Sequence, residues 1–444
     1  MGYRVYPDYK ESGVTGLDRV PSHWTTWKAT HGFSRIGSGT TPKSDNASYY
    51  DGDIPWVTTR ELREKPILET QAKLTAQAIR DYPTLKTYSP HSLIIAMYGA
   101  TIGRLGILEI EATVNQACCV FSDPEQFDTK FFYYWLWMWR PTLLALSAGG
   151  GQPNLSQDTL KQIRVPAPSV PEQQKIAKFL DHKTAQIDRL IEKKQELIAK
   201  FHEQRTAIIN QAVTGGVRKN VTLKSSGIEW LGDIPSHWDI WRLRFSVTMS
   251  GGMTPSTAAA QYWEGSIPWV TPKDMKSDRI TSSIDMLTEI ALQETSLQLH
   301  TPKQVLIVVR GMILAHTFPV GINDVNVTIN QDMKALSTTL NPEYLAILLR
   351  GFQSVVLSIV EESAHGTKVL RTDLFKDIPL PVPPEQEQEA IVAYIHNVIA
   401  KSDLRIEAVD TAIDRLQEYR TALITAAVTG QIDVRDFRKE QQWR

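Results

Sequence analysis

The sequence predicts an α+β protein with an internal pseudo-two-fold repeat, in which two similar globular domains are joined by two long antiparallel helices that form a coiled coil. Three observations predict this fold. Most of the 444 residues belong to an internal duplication, each copy begins with short apolar runs separated by turn residues, and each copy ends in a long run without Pro or Gly. The hydrophobic fraction of 42% and the charged fraction of 22% are typical of a folded globular protein.

The duplication consists of short segments that recur 213 to 215 residues later. The clearest example is Pro21-Ser-His-Trp24, which recurs as Pro235-Ser-His-Trp238. Further pairs are Gly39-Thr-Thr-Pro42 with Gly252-Met-Thr-Pro255, Ile54-Pro-Trp-Val57 with Ile267-Pro-Trp-Val270, Asn115-Gln116 with Asn330-Gln331, and Gly151 to Leu155 with Gly366 to Leu370. Two copies of one ancestral unit therefore account for nearly the whole chain up to residue 430.

Each copy has a globular part and a helical part. The globular parts contain strand-like runs such as Ser92–Tyr98, Thr113–Phe121 and Val305–Val309, together with a helical stretch at Phe131–Arg140. Proline-rich segments then precede the helical parts, and proline is compatible with a helix only near its start. We predict globular domains at 1–170 and 216–383, spacer helices at 171–215 and 384–430, and a C-terminal tail at 431–444.

The two predicted helices carry apolar residues at heptad-like spacing, and Gly215 and Gly430 are expected to end them. Each helix would be about 60 Å long, so its natural partner is the other helix. Antiparallel packing would place the domains at opposite ends of the pair; the alternative is two separate amphipathic helices, each on its own domain. The predicted seam is Ile176, Leu180, Ile187, Ile191, Ile198, Phe201 and Ile208 in the first helix and Ile395, Val398, Ile406, Val409, Ile413, Leu416 and Leu423 in the second.

Several classes of function are disfavoured by composition and motifs. The formal net charge is -1, so any nucleic-acid binding must depend on local clusters of Lys and Arg. Cys118 and Cys119 are the only cysteines, which leaves no disulfide framework or Cys-ligated zinc site. We find no phosphate loop, dinucleotide fingerprint, metal-ligand spacing or acid/base pair, so we expect no catalytic residues and no metal. The polar N-terminus has no apolar signal segment, which predicts a cytoplasmic protein without a membrane span.

Polar side chains differ between the two copies at equivalent loop positions. Arg60 and Arg63 follow the first Ile-Pro-Trp-Val segment, whereas Lys273 and Lys276 follow the second. Such side chains can hydrogen bond to base edges and phosphates, so a shared scaffold with different loop residues is typical of two different binding specificities. The candidate DNA-binding residues are Thr58, Thr59, Arg60, Arg63, Tyr98, Arg104, Gln152 and Asn154 in copy one and Thr271, Lys273, Lys276, Arg310, His316, Thr367 and Lys368 in copy two.

From about residue 6 to residue 430, the sequence resembles the specificity subunits of type I restriction-modification systems. The resemblance depends on Ser-Gly-Ile-Glu-Trp-Leu-Gly-Asp-Ile-Pro-Ser-His-Trp at 226–238 and on Gly-x-Thr-Pro ahead of Ile-Pro-Trp-Val. It also depends on Val-Pro-x-Pro before Glu-Gln and a long helix, and on the duplicated ending Arg-Thr-Ala…Ala-Val-Thr-Gly. Copy one departs from the pattern because Gly16 stands where copy two has Trp230.

The resemblance implies two target recognition domains, each of which reads one half of a bipartite asymmetric sequence in double-stranded DNA. It further implies that the spacer helices dock two methylation subunits, which use S-adenosylmethionine to methylate adenine, and that restriction and translocation subunits bind ATP. The chain itself would then bind no cofactor. Residues 1–170 contain 17 basic and 16 acidic residues and 216–383 contain 15 and 16, so we expect the isolated chain to bind DNA weakly.

Two other functions compete with this one. The first is a two-domain scaffold that binds proteins or sugars and does not bind DNA. The second is a self-sufficient methyltransferase or nuclease, which is disfavoured because the sequence lacks an Asn-Pro-Pro-Tyr-like or Asp…Glu-x-Lys segment.

Overall fold

The structure, a computed structural model, describes residues 3–147, 154–218 and 220–437. The chain forms two compact units, one of residues 1–194 with 411–444 and the other of residues 195–410. Each unit contains one globular domain and a part of each long helix. The boundaries of the units therefore fall within the two helices and not at their ends.

The first unit begins with the globular domain of copy one. Its strands are β1 (Tyr9–Val14), β2 (Leu17–Pro21), β3 (Thr25–Lys28), β4 (Phe33–Ser38), β5 (Tyr50–Val57), β6 (Pro66–Ile67), β7 (Ala72–Leu74), β8 (Leu93–Ala96), β9 (Leu105–Leu108), β10 (Thr113–Val114), β11 (Cys118–Pro124) and β12 (Arg164–Ala167). Its helices are α1 (Ala29–Gly32), α2 (Ala76–Asp81), α3 (Thr129–Ser147), α4 (Gln157–Gln162) and the start of α5 (Val170–Gly215).

Two main sheets form this domain. A five-stranded sheet has the order β4-β11-β8-β9-β6, and a three-stranded sheet has the order β10-β5-β7. Strand pairing is antiparallel except for β6 with β9 and β10 with β5, which are parallel. The central strand β8 is buried along its whole length, as its continuous apolar sequence predicts.

The second unit repeats this topology. Its strands are β13 (Leu223–Ser225), β14 (Asp233–Pro235), β15 (Asp239–Arg242), β16 (Val247–Gly251), β17 (Trp263–Val270), β18 (Arg279–Ile280), β19 (Asp285–Leu287), β20 (Val305–Val308), β21 (Val320–Asn323), β22 (Thr328–Ile329), β23 (Met333–Thr338), β24 (Val360–Glu362), β25 (Lys368–Leu370) and β26 (Pro379–Val382). Its helices are α6 (Glu289–Glu294), α7 (Pro342–Gly351), α8 (Gln353–Leu357), α9 (Thr372–Lys376) and the start of α10 (Glu385–Val428). The sheet orders β16-β23-β20-β21-β18 and β19-β17-β22 match those of the first unit strand by strand.

The long helices pair antiparallel in both units. In the first unit Arg420 Nε donates to Asp188 Oδ1 at 2.9 Å, and in the second Arg205 Nη1 donates to Asp403 Oδ1 at 2.7 Å. The helices also contribute apolar side chains to the hydrophobic core of each unit. Ile187 and Leu423 belong to the core of the first unit, and Val213 and Ile395 belong to that of the second. The antiparallel helical pair is therefore confirmed.

The predicted seam of the helical pair is least exposed near the globular domains. Six seam residues are buried, namely Ile176, Leu180, Ile187, Ile395, Ile413 and Leu423. The other eight are half-buried, namely Ile191, Ile198, Phe201, Ile208, Val398, Ile406, Val409 and Leu416. Partial exposure is expected for a seam that only one partner helix covers.

Two local predictions need correction. Residues 113–121 do not form one strand, because β10 and β11 belong to different sheets and the chain turns at 115–117 between them. Gly215 remains helical, and the residue with positive φ after α5 is Gly216, at +78°.

Both cysteines are buried in β11, where burial raises the pKa of the Cys119 thiol to about 12.

Candidate nucleic-acid interface

Two of the candidate loops in the first unit lie at the same end of the five-stranded sheet. Because β6 and β9 are parallel, the loops that precede them, 58–65 and 97–104, must reach the same edge. Glu64 joins the loops, since its backbone N donates to Leu105 O at 3.0 Å and its Oε1 accepts from Leu105 N at 3.2 Å. Arg140 also contacts this carboxylate, since its Nη2 lies 2.6 Å from Glu64 Oε1.

Further segments of the first unit reach this edge. Asn115 N donates to Val57 O at 2.9 Å, and Met97 N donates to Ala117 O at 2.8 Å, so the turn 115–117 lies between the two loops. Leu155 N donates to Met97 O at 2.7 Å, which brings Asn154 beside Tyr98. We call residues 39–41, 58–65, 97–104, 115–117 and 154–155 the first loop edge.

The second unit contains the equivalent arrangement. Asn330 N donates to Val270 O at 3.1 Å, Val309 N to Asp332 O at 2.8 Å, and Leu370 N to Val309 O at 2.9 Å. Each of these hydrogen bonds has its counterpart in the first unit. We call residues 252–254, 271–278, 309–317, 330–332 and 367–370 the second loop edge.

The predicted site residues therefore come together within each unit. The first loop edge contains Thr58, Thr59, Arg60, Arg63, Tyr98, Arg104 and Asn154, and the second contains Thr271, Lys273, Lys276, Arg310, His316, Thr367 and Lys368. Gln152 lies outside the described residues.

Two predicted threonines have local partners. The hydroxyl of Thr58 donates to Glu61 Oε2 at 2.7 Å, and the hydroxyl of Thr271 donates to Asp274 Oδ2 at 2.8 Å. Their backbone N–H groups donate to the same carboxylate oxygens. These contacts close a tight turn directly after β5 and β17, so both threonines shape the loops in which Arg60 and Lys273 are exposed.

The electrostatics of the edges favour an anionic ligand. Six exposed cations take part in no ion pair within the described residues, namely Arg60, Arg63, Arg104, Lys273, Lys276 and Arg310. The neighbouring carboxylates are occupied, because Glu61 and Asp274 accept the threonine hydrogen bonds and Asp278 pairs with Arg350 at 2.7 Å. Lys368 differs from the six, since its Nζ lies 2.7 Å from Glu362 Oε2.

Sequence reasoning missed four residues of the edges. Thr41 donates to Gln116 Oε1 at 2.5 Å, and Thr254 donates to Gln331 Oε1 at 2.5 Å. These residues belong to the duplicated Gly-x-Thr-Pro and Asn-Gln segments, so their recurrence in both copies was the signal that could have identified them. Burial raises the pKa of the neighbouring Tyr98, and a hydrogen bond with Gln116 opposes that effect.

The described residues contain no group of three or more His, Cys, Asp or Glu side chains placed to hold a metal ion. In the same part of the chain, no helix combines the length and apolar character that a membrane span requires.

The chain is similar to proteins of one family over nearly its whole length. Residues 21–200 and 235–409 match the model of the type I restriction modification DNA specificity domain. The type I restriction enzyme MjaIX specificity subunit of Methanocaldococcus jannaschii is 24% identical over 98% of this chain and 99% of its own length. The EcoR124I/EcoR124II specificity subunit of Escherichia coli is 28% identical over 66% of this chain and 67% of its own.

Two solved structures share the fold. A chain from a structural study of complex assembly and conformational transition of the type I R-M system has a TM-score of 0.69 and 15% identity, over 93% of this chain and 99% of that chain. The HsdS subunit from Thermoanaerobacter tengcongensis has a TM-score of 0.54 and 16% identity, over 94% and 99%. Since the family model matches both repeats, the chain belongs to the family of type I restriction modification DNA specificity domains.

Proposed function

We propose that each loop edge reads one half of a bipartite asymmetric target in double-stranded DNA. The observation that carries this proposal is that both edges use the same backbone contacts but present different side chains. Arg60 stands where the second edge has Lys273, and Tyr98 stands where it has Arg310. Two sites with a common scaffold and different hydrogen-bonding groups are suited to two different base sequences.

The side chains of the edges match the groups that the major groove exposes. Arg60, Arg63 and Arg104 can each donate two hydrogen bonds to guanine O6 and N7, and Asn154 can pair with adenine in the same bidentate manner. In the second edge Lys273 and Arg310 offer cationic donors, and His316 offers a ring nitrogen. Direct base contacts of this kind determine specificity, whereas contacts to phosphate mainly determine affinity.

The charge of the chain supports a division of labour with partner subunits. The 48 basic residues of the chain are balanced by 49 acidic ones, so the chain as a whole has no excess of positive charge for phosphate contacts. We propose that two methylation subunits dock on the paired helices. These subunits would supply most of the affinity for DNA phosphates and would bind S-adenosylmethionine. Restriction and translocation subunits that use ATP would complete the complex, and the complete assembly would work in the cytoplasm on chromosomal or invading DNA.

The proposed function is tested with the chain co-purified with its methylation partner. The target sequence is first obtained by mapping methylated adenines in the genome of the source cell. Binding is then measured on a duplex that carries this target and on duplexes with either half scrambled. We expect Arg60→Ala to weaken binding to the target by about 5- to 100-fold and to relax specificity in one half only, and Lys273→Ala to act on the other half.

The matched control is Arg164→Ala, because Arg164 is an exposed arginine of the first unit that lies in β12, outside the first loop edge. This variant should retain both affinity and specificity. Equal binding of the unmodified complex to target and scrambled duplexes would contradict the proposal and would favour the scaffold function instead.

A further inference from the structure

The two edges share one exposed polar pair although their other side chains differ. Thr41 and Gln116 form this pair in the first edge, and Thr254 and Gln331 form it in the second. All four residues are exposed, and both hydrogen bonds are 2.5 Å long. An exposed hydrogen bond between neutral groups contributes little to folding, so its presence in both copies points to a role at the surface.

The backbone around the pair is shaped to hold it in place. Asn115 Oδ1 accepts a hydrogen bond from Ala117 N at 3.1 Å, and Asn330 Oδ1 accepts one from Asp332 N at 3.0 Å, so each glutamine lies in an Asx turn. Gly39 packs directly on this turn, where a Cβ would lie 1.7 Å from Val114 O. A Cβ at Gly252 would lie 1.8 Å from Ile329 O, so only glycine allows the two segments to meet in either unit.

The hydrogen bond fixes the orientation of each glutamine amide. Because the threonine hydroxyl donates to Oε1, the Nε2 group with its two hydrogens faces away from the threonine. Both glutamines are exposed, so this amide group is accessible to a ligand at either edge. The amide nitrogen can only donate, so the ligand atom must be an acceptor.

We infer that Gln116 and Gln331 each donate an amide hydrogen to a phosphodiester oxygen of the DNA that their edge reads. This inference rests on the proposed function. The two halves of an asymmetric target differ in their bases and share only the sugar-phosphate backbone. A side chain that is the same in both edges, beside Tyr98 in one and Arg310 in the other, fits the shared part of the ligand.

The test measures binding of the complex with the methylation partner to two duplexes, one with the mapped target and one of unrelated sequence. Gln116→Ala and Gln331→Ala should each raise the dissociation constant by about ten-fold on both duplexes, because a hydrogen bond to a charged acceptor is lost. The ratio of the two constants should therefore stay unchanged. Gln126→Ala removes an exposed glutamine beyond the other end of β11 and should have no effect.

A second measurement separates a phosphate contact from a base contact. Single phosphates of the target duplex are replaced one at a time by neutral methylphosphonates. At one phosphate in each half, the replacement should weaken binding of the unmodified complex. A complex in which the glutamine facing that phosphate is already replaced by alanine should lose no further affinity when the same phosphate is neutralised. Thermal unfolding of each variant confirms that the fold is retained.

The outcomes distinguish the inference from the function on which it rests. If the unmodified complex does not prefer the target duplex, the proposed function fails. If it prefers the target but the glutamine variants bind normally, or lose affinity for the target alone, the phosphate contact is wrong and the proposed function stands.

Discussion

The two units form the same junction between a long helix and a globular domain, but only the second forms it through a continuous chain. After α5, Gly216 has a φ of +78° and the polypeptide proceeds to β13. After α10, Gly430 has a φ of +73°, and the tail 431–437 contacts the amino-terminal segment instead. There Asp433 N donates to Arg4 O at 2.7 Å.

The geometry of the two junctions is closely similar in spite of this difference. A Cβ at Gly216 would lie 3.1 Å from Trp238 Cζ2, and a Cβ at Gly430 would lie 3.2 Å from Trp24 Cζ2. Both tryptophans are fully buried. In both units the glycine at the end of the long helix therefore packs against a buried tryptophan. This packing does not require that the helix and the domain be joined by a continuous chain.

The largest expected effect follows from deletion of the tail after Gly430. The deletion removes Val434, which is buried, and Phe437, whose ring lies 5.1 Å from that of Phe179. We expect the free energy of unfolding of the first unit to fall by about 3–5 kcal/mol, because two apolar side chains and the pairing with Arg4 are lost. Hydrogen exchange of the two units reports this loss separately.

The control for this deletion is truncation after Phe437, which retains every described contact of the tail. If removal of residues 431–444 lowered hydrogen-exchange protection equally in both units, the tail would not act on the first unit specifically. Unchanged protection in both units would show that the tail does not stabilise the junction.

Replacement of Gly216 or Gly430 by alanine should destabilise the two junctions to different extents. Both positions have positive φ, where a side chain costs about 1–2 kcal/mol. Gly430→Ala should cost more than this, about 2–4 kcal/mol, because the new Cβ would also lie 2.3 Å from Pro21 Cδ. Gly216→Ala should cost only about 1–2 kcal/mol, since its nearest contact is the 3.1 Å approach to Trp238. Denaturant titrations of both variants measure the difference, and a larger loss for Gly216→Ala would contradict this ranking.

The junctions also show how far the sequence could predict the fold. The Pro-free runs predicted both long helices, and the repeat of Pro-Ser-His-Trp identified Trp24 and Trp238 as equivalent, because these signals are local. The role of residues 431–437 could not be predicted, since the tail lies outside the duplication and its partner, Arg4, is at the other end of the chain. Gly216 could not be distinguished from Gly215, because both are glycines and only the backbone angle separates them.

The same distinction between local and distant signals applies to the loop edges. The differing side chains at Arg60 and Lys273 were visible in the alignment of the two copies. Their assembly with Tyr98 and Arg310 depends on the parallel pairing of β6 with β9 and of β18 with β21, which joins residues far apart in sequence. The sequence also does not show that the hydroxyls of Thr58 and Thr271 donate to an acidic residue three positions later, because this contact depends on the conformation of the turn.

The two junctions also differ in the partner of the histidine beside each tryptophan. His237 Nε2 lies 2.8 Å from Glu387 Oε2, and this glutamate is 3% exposed and also accepts from Trp238. His23 lies 3.2 Å from Glu172, which is 11% exposed and also accepts from the hydroxyl of Tyr6 at 2.8 Å.

His237→Ala should cost about 2 kcal/mol, because the buried carboxylate of Glu387 then keeps a single hydrogen-bond donor. His23→Ala should cost less than about 1 kcal/mol, because Glu172 is more exposed and keeps Tyr6. Differential scanning calorimetry compares the two variants, and His23→Phe and His237→Phe control for the loss of ring packing. A greater loss of stability for His23→Ala than for His237→Ala would show that the burial of Glu172 and Glu387 does not determine the cost of removing each histidine.

The smallest expected difference lies in the helical pair, where the two ion pairs occupy equivalent positions of the repeat. Asp188 with Arg420 and Asp403 with Arg205 are both half-exposed, so a double-mutant cycle on either pair should give a coupling energy below about 1 kcal/mol. Arg420 has one additional contact, since its guanidinium carbon lies 5.4 Å from the centroid of the Trp137 ring. Arg420→Ala should therefore cost about 0.5–1 kcal/mol more than Arg205→Ala, while the coupling to the aspartate is the same in both cycles. Equal losses for the two alanine variants would mean that Trp137 contributes nothing, whereas unequal coupling energies would mean that the repeat does not preserve the helical contact that it duplicates.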